Sequence, residues 1–312
     1  MTSEPNDELG ERPGGQCRLT GRHSTERQTR RLHALRADPD AQLVFAVEVL
    51  EASRDLEVVR PALKIIEEQG DPALRPLLHR KYLWCAEQPS RRDSSGFIRA
   101  AIVRALRPIG HPDDLPILDQ ALVTYQMQGL YELCAELRAA ALLNLNELDP
   151  ELAAFHAARL LADPLTGFSG EPALTAAKLL GAQQELPPLF AVAVWQAGRS
   201  EVVAECLRQL TTMPASLLPL LVERYREVED EQLLLGFYDL LLSHPAHADY
   251  AAEIERFLRT TTLLDLYGLI VTQVVAARDK ALIARLRAFA AEEQHPEKRA
   301  LLRHALDLLP SS

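Results

Sequence analysis

The chain has 312 residues, more than one compact core usually holds, so two domains or one elongated repeat array is expected. Hydrophobic residues make up 47% of the chain but aromatic residues only 5%, and most of the apolar residues are Leu and Ala, which favour helices. The formal net charge of −10 argues against broad nucleic-acid binding.

Localisation signals and cofactor motifs are not found in the sequence. The first residues, MTSEPNDELGERPGG, lack the apolar segment of a secretory signal, and no run of 18 apolar residues predicts a membrane span. The four cysteines form no C-x-x-C pair and match no zinc motif. We therefore expect a cytoplasmic protein with reduced thiols, no membrane partner, no metal and no cofactor.

The predicted elements begin after a polar segment. Residues 1–24 carry Pro and Gly without apolar periodicity, which predicts a disordered or loosely attached N-terminus. From residue 25 to the C-terminus, apolar residues recur at helical spacing. The periodicity predicts helices over 25–38, 41–53, 55–69, 72–87, 96–109, 112–125, 132–147, 150–162, 171–182, 186–196, 200–212, 215–227, 230–243, 247–259, 262–277, 280–292 and 297–309.

Three of these helix starts share one pattern: GDPALRPLL, GHPDDLPIL and LDPELAAFH. Their prolines, Pro72, Pro112 and Pro150, lie 40 and 38 residues apart. Self-similarity at such a period is the signature of repeat architectures, in which stacked helical pairs bury a continuous core.

The helix before each of these starts carries an arginine. Arg60, Arg99 and Arg138 recur at intervals of 39, whereas the segments between residues 170 and 292 lack it. An acid stands six residues before the arginine in Asp93–Arg99, Glu132–Arg138 and Glu293–Arg299, and five residues before it in Asp55–Arg60.

This pattern of "V-R-x-x-A" and "G-x-P-x-x-L-P-x-L" motifs resembles the HEAT repeat family, in particular bacterial, lyase-type HEAT-like repeats. The resemblance implies an all-α fold over residues 25–312, a right-handed alpha-alpha superhelix of the HEAT-like helical-hairpin solenoid type. It also implies a non-catalytic protein-interaction scaffold or adaptor. Two alternatives stay open: a bilin-lyase-like chromophore-handling protein, and a HEAT-like nucleic-acid-binding protein or DNA glycosylase.

Two stretches that combine histidine with aspartate resemble catalytic or metal sites. In HPDD, residues 111–114, the proline suits the first turn of a helix and the aspartates suit its positive end. In SHPAHAD, residues 243–249, a proline interrupts the helical spacing of the two histidines. Both stretches are interpreted as boundaries between helices rather than as catalytic or metal sites.

Positive charge is concentrated in two segments. Residues 18–36 hold six Arg and one Glu, and residues 75–107 hold eight Lys or Arg and two acids. The second segment also carries Trp84 and Phe97, and it predicts a surface for an acidic protein partner or for phosphates. Together with positions expected on the exposed inner face, the predicted partner-binding residues are Arg80, Lys81, Arg91, Arg92, Arg104, Arg107, Asn146, Lys178 and Arg208.

Three connectors are longer than the others, at 88–95, 126–131 and 163–170. Each precedes the second helix of a predicted pair, so all three are expected to project from the same edge of the repeat array. Loops held by a rigid scaffold are frequent binding elements, and these connectors are therefore the second predicted binding surface.

Overall fold

The computed structural model describes residues 16–166 and 168–309, with side chains described from residue 25 onward. In this part of the chain the fold is eighteen α-helices and one short β-hairpin, β1 (Met127–Gln128) and β2 (Tyr131–Glu132). The helices are α1 (Gln16–Ala34), α2 (Pro39–Ala52), α3 (Leu56–Gln69), α4 (Arg75–Glu87), α5 (Pro89–Arg92), α6 (Phe97–Leu106), α7 (Leu115–Leu122), α8 (Ala135–Leu148), α9 (Pro150–Leu161), α10 (Ala173–Ala182), α11 (Leu186–Trp195), α12 (Ser200–Gln209), α13 (Leu218–Tyr225), α14 (Glu231–Ser243), α15 (Ala251–Thr260), α16 (Leu264–Ala276), α17 (Lys280–Glu292) and α18 (Pro296–Asp307).

The chain divides into two compact units, and the division falls between Gln126 and Met127. In the N-terminal unit, α3 packs between α1 and α6. Two further helices pair with members of this row: α2 packs on α3, and α4 packs on α6. Helical pairs are thus the building blocks of this unit.

In the C-terminal unit, the even-numbered helices from α8 to α18 each pack on the next even-numbered helix. The helices α9, α11, α13 and α17 pack against members of that row. The predicted all-helical class is therefore confirmed, while the right-handed superhelix stays a prediction.

The predicted helix starts at Pro72 and Pro112 are reached through 3-10 turns, Pro72–Leu74 and Pro112–Asp114. A second proline, Pro76 or Pro116, follows four residues after the first. The ring of a proline clashes with the carbonyl group four residues before it in an α-helix. The α-helices α4 and α7 consequently begin only at Arg75 and Leu115.

The first helix and two connectors also differ from the predictions. Helix α1 begins at Gln16, nine residues before the predicted start, and residues 1–15 lie outside the described residues. The connector 88–95 contains the short helix α5, and the connector 126–131 contains most of the β-hairpin.

The core of the C-terminal unit combines aliphatic residues with a row of aromatic rings. Tyr225 stacks on Phe237 at a centroid distance of 5.3 Å, and Phe237 meets Tyr238 at 5.1 Å. Helices α12 and α14 approach closely at Gly236, where an added Cβ would lie 2.6 Å from the Ala204 backbone. Among the described helices, none combines the length and the apolar character needed to cross a membrane.

Candidate interaction surfaces

The first candidate surface is built on Arg138, whose side chain is fully buried at the start of α8. Its Nη2 donates to Glu132 Oε2 at 2.9 Å and to the Leu165 carbonyl oxygen at 3.3 Å, and it lies 4.0 Å from Asp163 Oδ2. Glu132 belongs to the β-hairpin, whereas Asp163 and Leu165 belong to the connector after α9. One arginine therefore ties two loops to the same helix.

The β-hairpin projects an apolar side chain from its turn. Met127 pairs with Glu132 and Gln128 with Tyr131, which leaves Gly129 and Leu130 as the two turn residues. Gly129 has a φ of +62°, a conformation that suits glycine and is required in tight hairpin turns. Leu130 is 93% exposed at the tip.

The two loops meet through their aromatic side chains. The rings of Tyr131 and Phe168 pack with centroids 4.8 Å apart and planes tilted by 44°. They nevertheless remain 54% and 74% exposed. Met127 and Leu165 are also large apolar residues that face solvent. We call this cluster the aromatic edge, which comprises Met127, Leu130, Tyr131, Leu165 and Phe168.

The aromatic edge agrees with part of the sequence-based expectation. The connectors 126–131 and 163–170 were expected to project together, and the Tyr131–Phe168 contact brings them together in the C-terminal unit. The third connector, 88–95, belongs to the N-terminal unit. Its Asp93 is buried and bonded to Arg99.

The second candidate surface is a groove of about 360 Å³ in the N-terminal unit, which we call the Trp84 groove. It lies between the end of α2 and the side of α4 that carries Leu77, Lys81 and Trp84. Three cationic side chains line it against one carboxylate, so its charge is positive. The lining residues are Glu51, Ala52, Ser53, Arg54, Leu77, Arg80, Lys81 and Trp84.

Lys81 is the buried cation of this groove, with 8% of its surface exposed. Its Nζ donates to the Ser53 carbonyl oxygen at 2.8 Å and lies 4.7 Å from the centroid of the Trp84 ring. Burial is the main cause that lowers the pKa of this ammonium group below its usual value. An anion in the groove would offset that cost.

Two arginines stand beside the same indole ring. The guanidinium carbon of Arg54 lies 5.9 Å from the Trp84 ring centroid, and that of Arg92 lies 4.4 Å away. Arg92 also donates to the Trp84 carbonyl oxygen at 2.5 Å and to Glu87 at 2.9 Å. Arg92, a predicted partner-binding residue, therefore holds α4 and α5 together, whereas Arg54 borders the groove.

Another groove, larger than the Trp84 groove at about 850 Å³, runs along α1, α3 and α6 in the N-terminal unit. Four cationic side chains line it against three glutamates, and one of these, Glu68, lies 3.8 Å from Lys64; the cations are Arg36, Arg60, Lys64 and Arg104. Its mixed charge makes it a weaker anion site than the Trp84 groove.

The other predicted partner-binding residues are dispersed. Arg80 and Lys81 share the Trp84 groove, and Arg91, Arg107 and Lys178 are exposed. Three residues expected on an exposed inner face are instead half-buried: Arg104, Asn146 and Arg208.

Asn146 and Arg208 bond to other helices rather than face open solvent. Asn146 Oδ1 accepts from Gln183 Nε2 at 2.6 Å. Arg208 donates to Asp239 at 2.8 Å and to Glu205 at 3.3 Å. For these two positions the expectation of free exposure was wrong, since both join successive helices of the row.

The HPDD stretch caps the turn as predicted, with one addition. His111 Nδ1 accepts from the Asp113 backbone at 3.2 Å, and Asp114 Oδ2 accepts from the His111 backbone at 3.0 Å. Asp114 is also fully buried, and its Oδ1 lies 2.6 Å from His79 Nε2 and 3.5 Å from Arg75. The stretch thereby joins one helical pair to the preceding pair.

The SHPAHAD stretch is also structural. His244 is buried, with Nε2 2.9 Å from the Met213 carbonyl oxygen, whereas His247 Nε2 lies 3.2 Å from Asp279. The two imidazoles therefore have separate partners. In the described residues, no group of three or more His, Cys, Asp or Glu side chains is placed to hold a metal ion.

Sequence reasoning did not identify Arg54 or the pairing of Tyr131 with Phe168. Arg54 lies outside the basic segment 75–107, and only the fold brings it to Trp84. Tyr131 and Phe168 lie in two of the predicted connectors, but no local sequence pattern indicates that a single Tyr and a single Phe in separate loops are in contact.

Comparison with known proteins gives no family for this chain: no family model, no curated protein and no solved structure matches it.

Proposed function

We propose that the chain is a non-catalytic protein-interaction scaffold built from HEAT-like repeats, and that the aromatic edge is its docking site for a protein partner. The observation that carries this proposal is the exposed Tyr131–Phe168 pair fixed by the buried Arg138. Large apolar side chains that stay exposed and clustered are typical of interaction sites.

The physical argument is preorganisation. Binding by a flexible loop loses affinity because the loop must be ordered first. Here the hydrogen bonds of Arg138 to Glu132 and to the Leu165 carbonyl oxygen order both loops before any partner arrives. Aromatic residues held rigidly are the side chains that most often dominate interface energies.

The shape of the site indicates the chemistry of the partner. Leu130 protrudes at the hairpin tip, with the two rings and Met127 behind it. A protrusion of this kind fits a concave apolar pocket on a folded protein. We therefore propose a folded partner that binds Leu130 in such a pocket, rather than a short polar peptide.

The repeat architecture is supported by hydrogen bonds between residues about 30 positions apart. Thr25 donates to Asp55, Ser200 donates to Asp230, and Tyr225 Oη donates to the Ala193 carbonyl oxygen. Such contacts between neighbouring helical pairs are typical of tandem repeats.

Co-purification with quantitative mass spectrometry tests the docking site. The variant Leu130→Ser/Tyr131→Ser/Phe168→Ser is expected to lose the partners that wild type retains, because the apolar contact is gone. The matched control is Trp195→Ser, which removes a 75% exposed aromatic elsewhere in the same unit. Equal recovery with both variants would contradict the proposal.

The oligomeric state of the purified chain tests whether the aromatic edge binds a second copy of the chain. If light scattering shows a wild-type dimer that the triple variant converts to a monomer, the site binds a second copy of the chain and the proposed folded partner is wrong. A monomer in both cases, with selective loss of partners from the triple variant, supports the proposal.

A further inference from the structure

We propose that the Trp84 groove binds a phosphate monoester through Lys81, Arg54 and Arg80. This site is independent of the aromatic edge, since it belongs to the N-terminal unit and has a different chemistry. The inference rests on the hydrogen-bonding state of Lys81, on the charge of the groove and on its size.

Lys81 is a buried cation with unused hydrogen-bonding capacity. An ammonium group has three N–H donors. Among the described residues, one acceptor is found for Lys81 Nζ, the Ser53 carbonyl oxygen. The Trp84 ring provides a second, weaker neighbour at 4.7 Å. A buried ammonium that lines a groove and has donors to spare is a ready anion ligand.

The charge of the groove selects a dianion. Arg54, Arg80 and Lys81 give three positive charges, and Glu51 gives one negative charge. Glu51 holds Arg80 only loosely, at 3.9 Å, and both side chains are more than half exposed. The net charge of +2 matches a phosphate monoester, which carries about −1.5 to −2 near pH 7, better than a single carboxylate.

The geometry also distinguishes the groove from a site for a stacked base. The cations Lys81 and Arg92 lie 4.7 and 4.4 Å from the Trp84 ring centroid, so cations already occupy the space near the ring. A volume of about 360 Å³ holds a phosphate group together with a few attached atoms. Arg54 and Arg80, both exposed, are positioned to close on its oxygens.

Trp84 fluorescence gives a direct measurement. The chain has two tryptophans, so the Trp195→Phe variant leaves Trp84 as the only indole. We titrate this variant with inorganic phosphate, with a phosphoserine peptide and with the same peptide unphosphorylated, at constant ionic strength. Both phosphate probes are expected to change the emission and to saturate, whereas the unphosphorylated peptide leaves it unchanged.

The two phosphate probes distinguish the source of the ligand. Tighter binding of the phosphoserine peptide than of inorganic phosphate indicates a phosphorylated protein, and equal affinity indicates a small phosphorylated molecule. If neither phosphate probe saturates, or if chloride gives the same change at the same concentration, the proposal is wrong.

Variants in the same background locate the site. Arg54→Gln/Arg80→Gln is expected to weaken phosphate binding by about tenfold or more, because two charged hydrogen bonds are lost. Both side chains are exposed, so this variant is expected to fold normally. Lys81→Gln is expected to abolish saturation, and its folding is checked by circular dichroism.

Two further variants sharpen the assignment. Glu51→Gln removes the competing carboxylate and is expected to tighten binding about two- to fivefold, as the loss of a nearby like charge does at a surface. Arg91→Gln, the matched control, removes an exposed arginine of the same basic segment that does not line the groove. Equal weakening by Arg91→Gln and by Arg54→Gln/Arg80→Gln would show general charge attraction and overturn the site.

Discussion

The turns before α6 and α8 are stabilised differently from the turns before α14 and α17. In the first two turns, Asp93 and Glu132 each pair with an arginine six residues later, Arg99 and Arg138, at 2.9 Å. In the other two turns, Asp230 and Asp279 cap helices α14 and α17 by accepting from backbone N–H groups. Asp93 and Glu132 also accept from backbone N–H groups, so the buried arginine is the difference between the two kinds of turn.

The second partner of the acid differs in the same way. Asp230 accepts from Ser200 Oγ at 2.7 Å, and Asp279 lies 3.2 Å from His247 Nε2. Each of those partners belongs to the preceding helical pair. Asp93 and Glu132 instead receive their cation from the helix that follows them. The turns before α6 and α8 can therefore carry longer loops, because each loop is anchored to the helix that follows it.

The two kinds of turn also differ in burial. The side chains of Arg99 and Asp93 are each 3% exposed, whereas Asp230 is exposed. Removing one member of a buried ion pair leaves its partner charged and without compensation, which costs far more than losing an exposed cap. The comparison therefore predicts a ranking of stability effects.

The largest effect is expected for Arg138→Met. The change removes the buried guanidinium that faces Glu132 and Asp163, and it should lower the free energy of unfolding by about 3–5 kcal/mol. Urea unfolding measures the loss, and limited proteolysis should show faster cleavage in the β-hairpin and the connector 163–170.

Arg303→Met is the control for this prediction. Arg303 is exposed on α18, so its replacement should change stability by no more than about 0.5 kcal/mol. The distinction between the two kinds of turn fails if Arg138→Met costs as little as Arg303→Met. The triple variant Arg138→Met/Glu132→Gln/Asp163→Asn should regain part of the loss, because the two side chains that faced the guanidinium are then neutral.

A smaller effect is expected for Asp230→Ala. The change removes the acceptor for the backbone N–H groups of Gln232 and Leu233 and for Ser200. Loss of such a cap costs about 0.5–2 kcal/mol. Asp249→Ala, an exposed acid of the same unit, is the control in the same urea experiment. A loss as large as that of Arg138→Met would remove the predicted ranking.

The smallest effect is a change in pH dependence. The Ser200 hydroxyl and then the Leu233 N–H lower the pKa of Asp230, and the Leu282 N–H and then His247 lower that of Asp279. A lowered folded-state pKa gives stability that is present above the unfolded value of about 4 and is lost as the pH falls through the folded value.

Asp230→Asn/Asp279→Asn is the variant for this measurement. Asparagine is still a good cap but does not titrate. Between pH 5 and pH 3 the variant should lose less stability than wild type, as measured by urea unfolding at each pH. Parallel curves for the two proteins would show that these acids do not titrate differently on folding.

The sequence predicted the elements of this fold better than their contacts. The buried pairs Asp93–Arg99 and Glu132–Arg138 form at the predicted spacing of six residues. The third pair differs: the Glu293 carboxylate accepts from the His295 N–H at 2.8 Å. Arg299 donates instead to the Glu293 backbone carbonyl oxygen at 3.0 Å.

The remaining pair and the candidate surfaces depend on contacts that spacing does not encode. The Asp55 carboxylate caps Glu57 and accepts from Thr25, while Arg60 lines the groove along α1, α3 and α6. The pairing of Asp114 with His79 likewise joins residues 35 positions apart. Competing acceptors and distant neighbours decided these cases, and neither can be read from a local motif.

The sequence separation of the contacts between helical pairs also has a consequence for folding during translation. The hydrogen bonds that Thr25, Ser200 and Tyr225 make to the neighbouring pair span 30 to 32 residues. At a ribosomal rate of about 5–20 residues per second, a stretch of that length is made in about 2–6 s. Each such contact can therefore form soon after its second member leaves the ribosome, with no need for the C-terminus. We expect ribosome-bound chains that end between helical pairs to be already protease-resistant in their completed pairs.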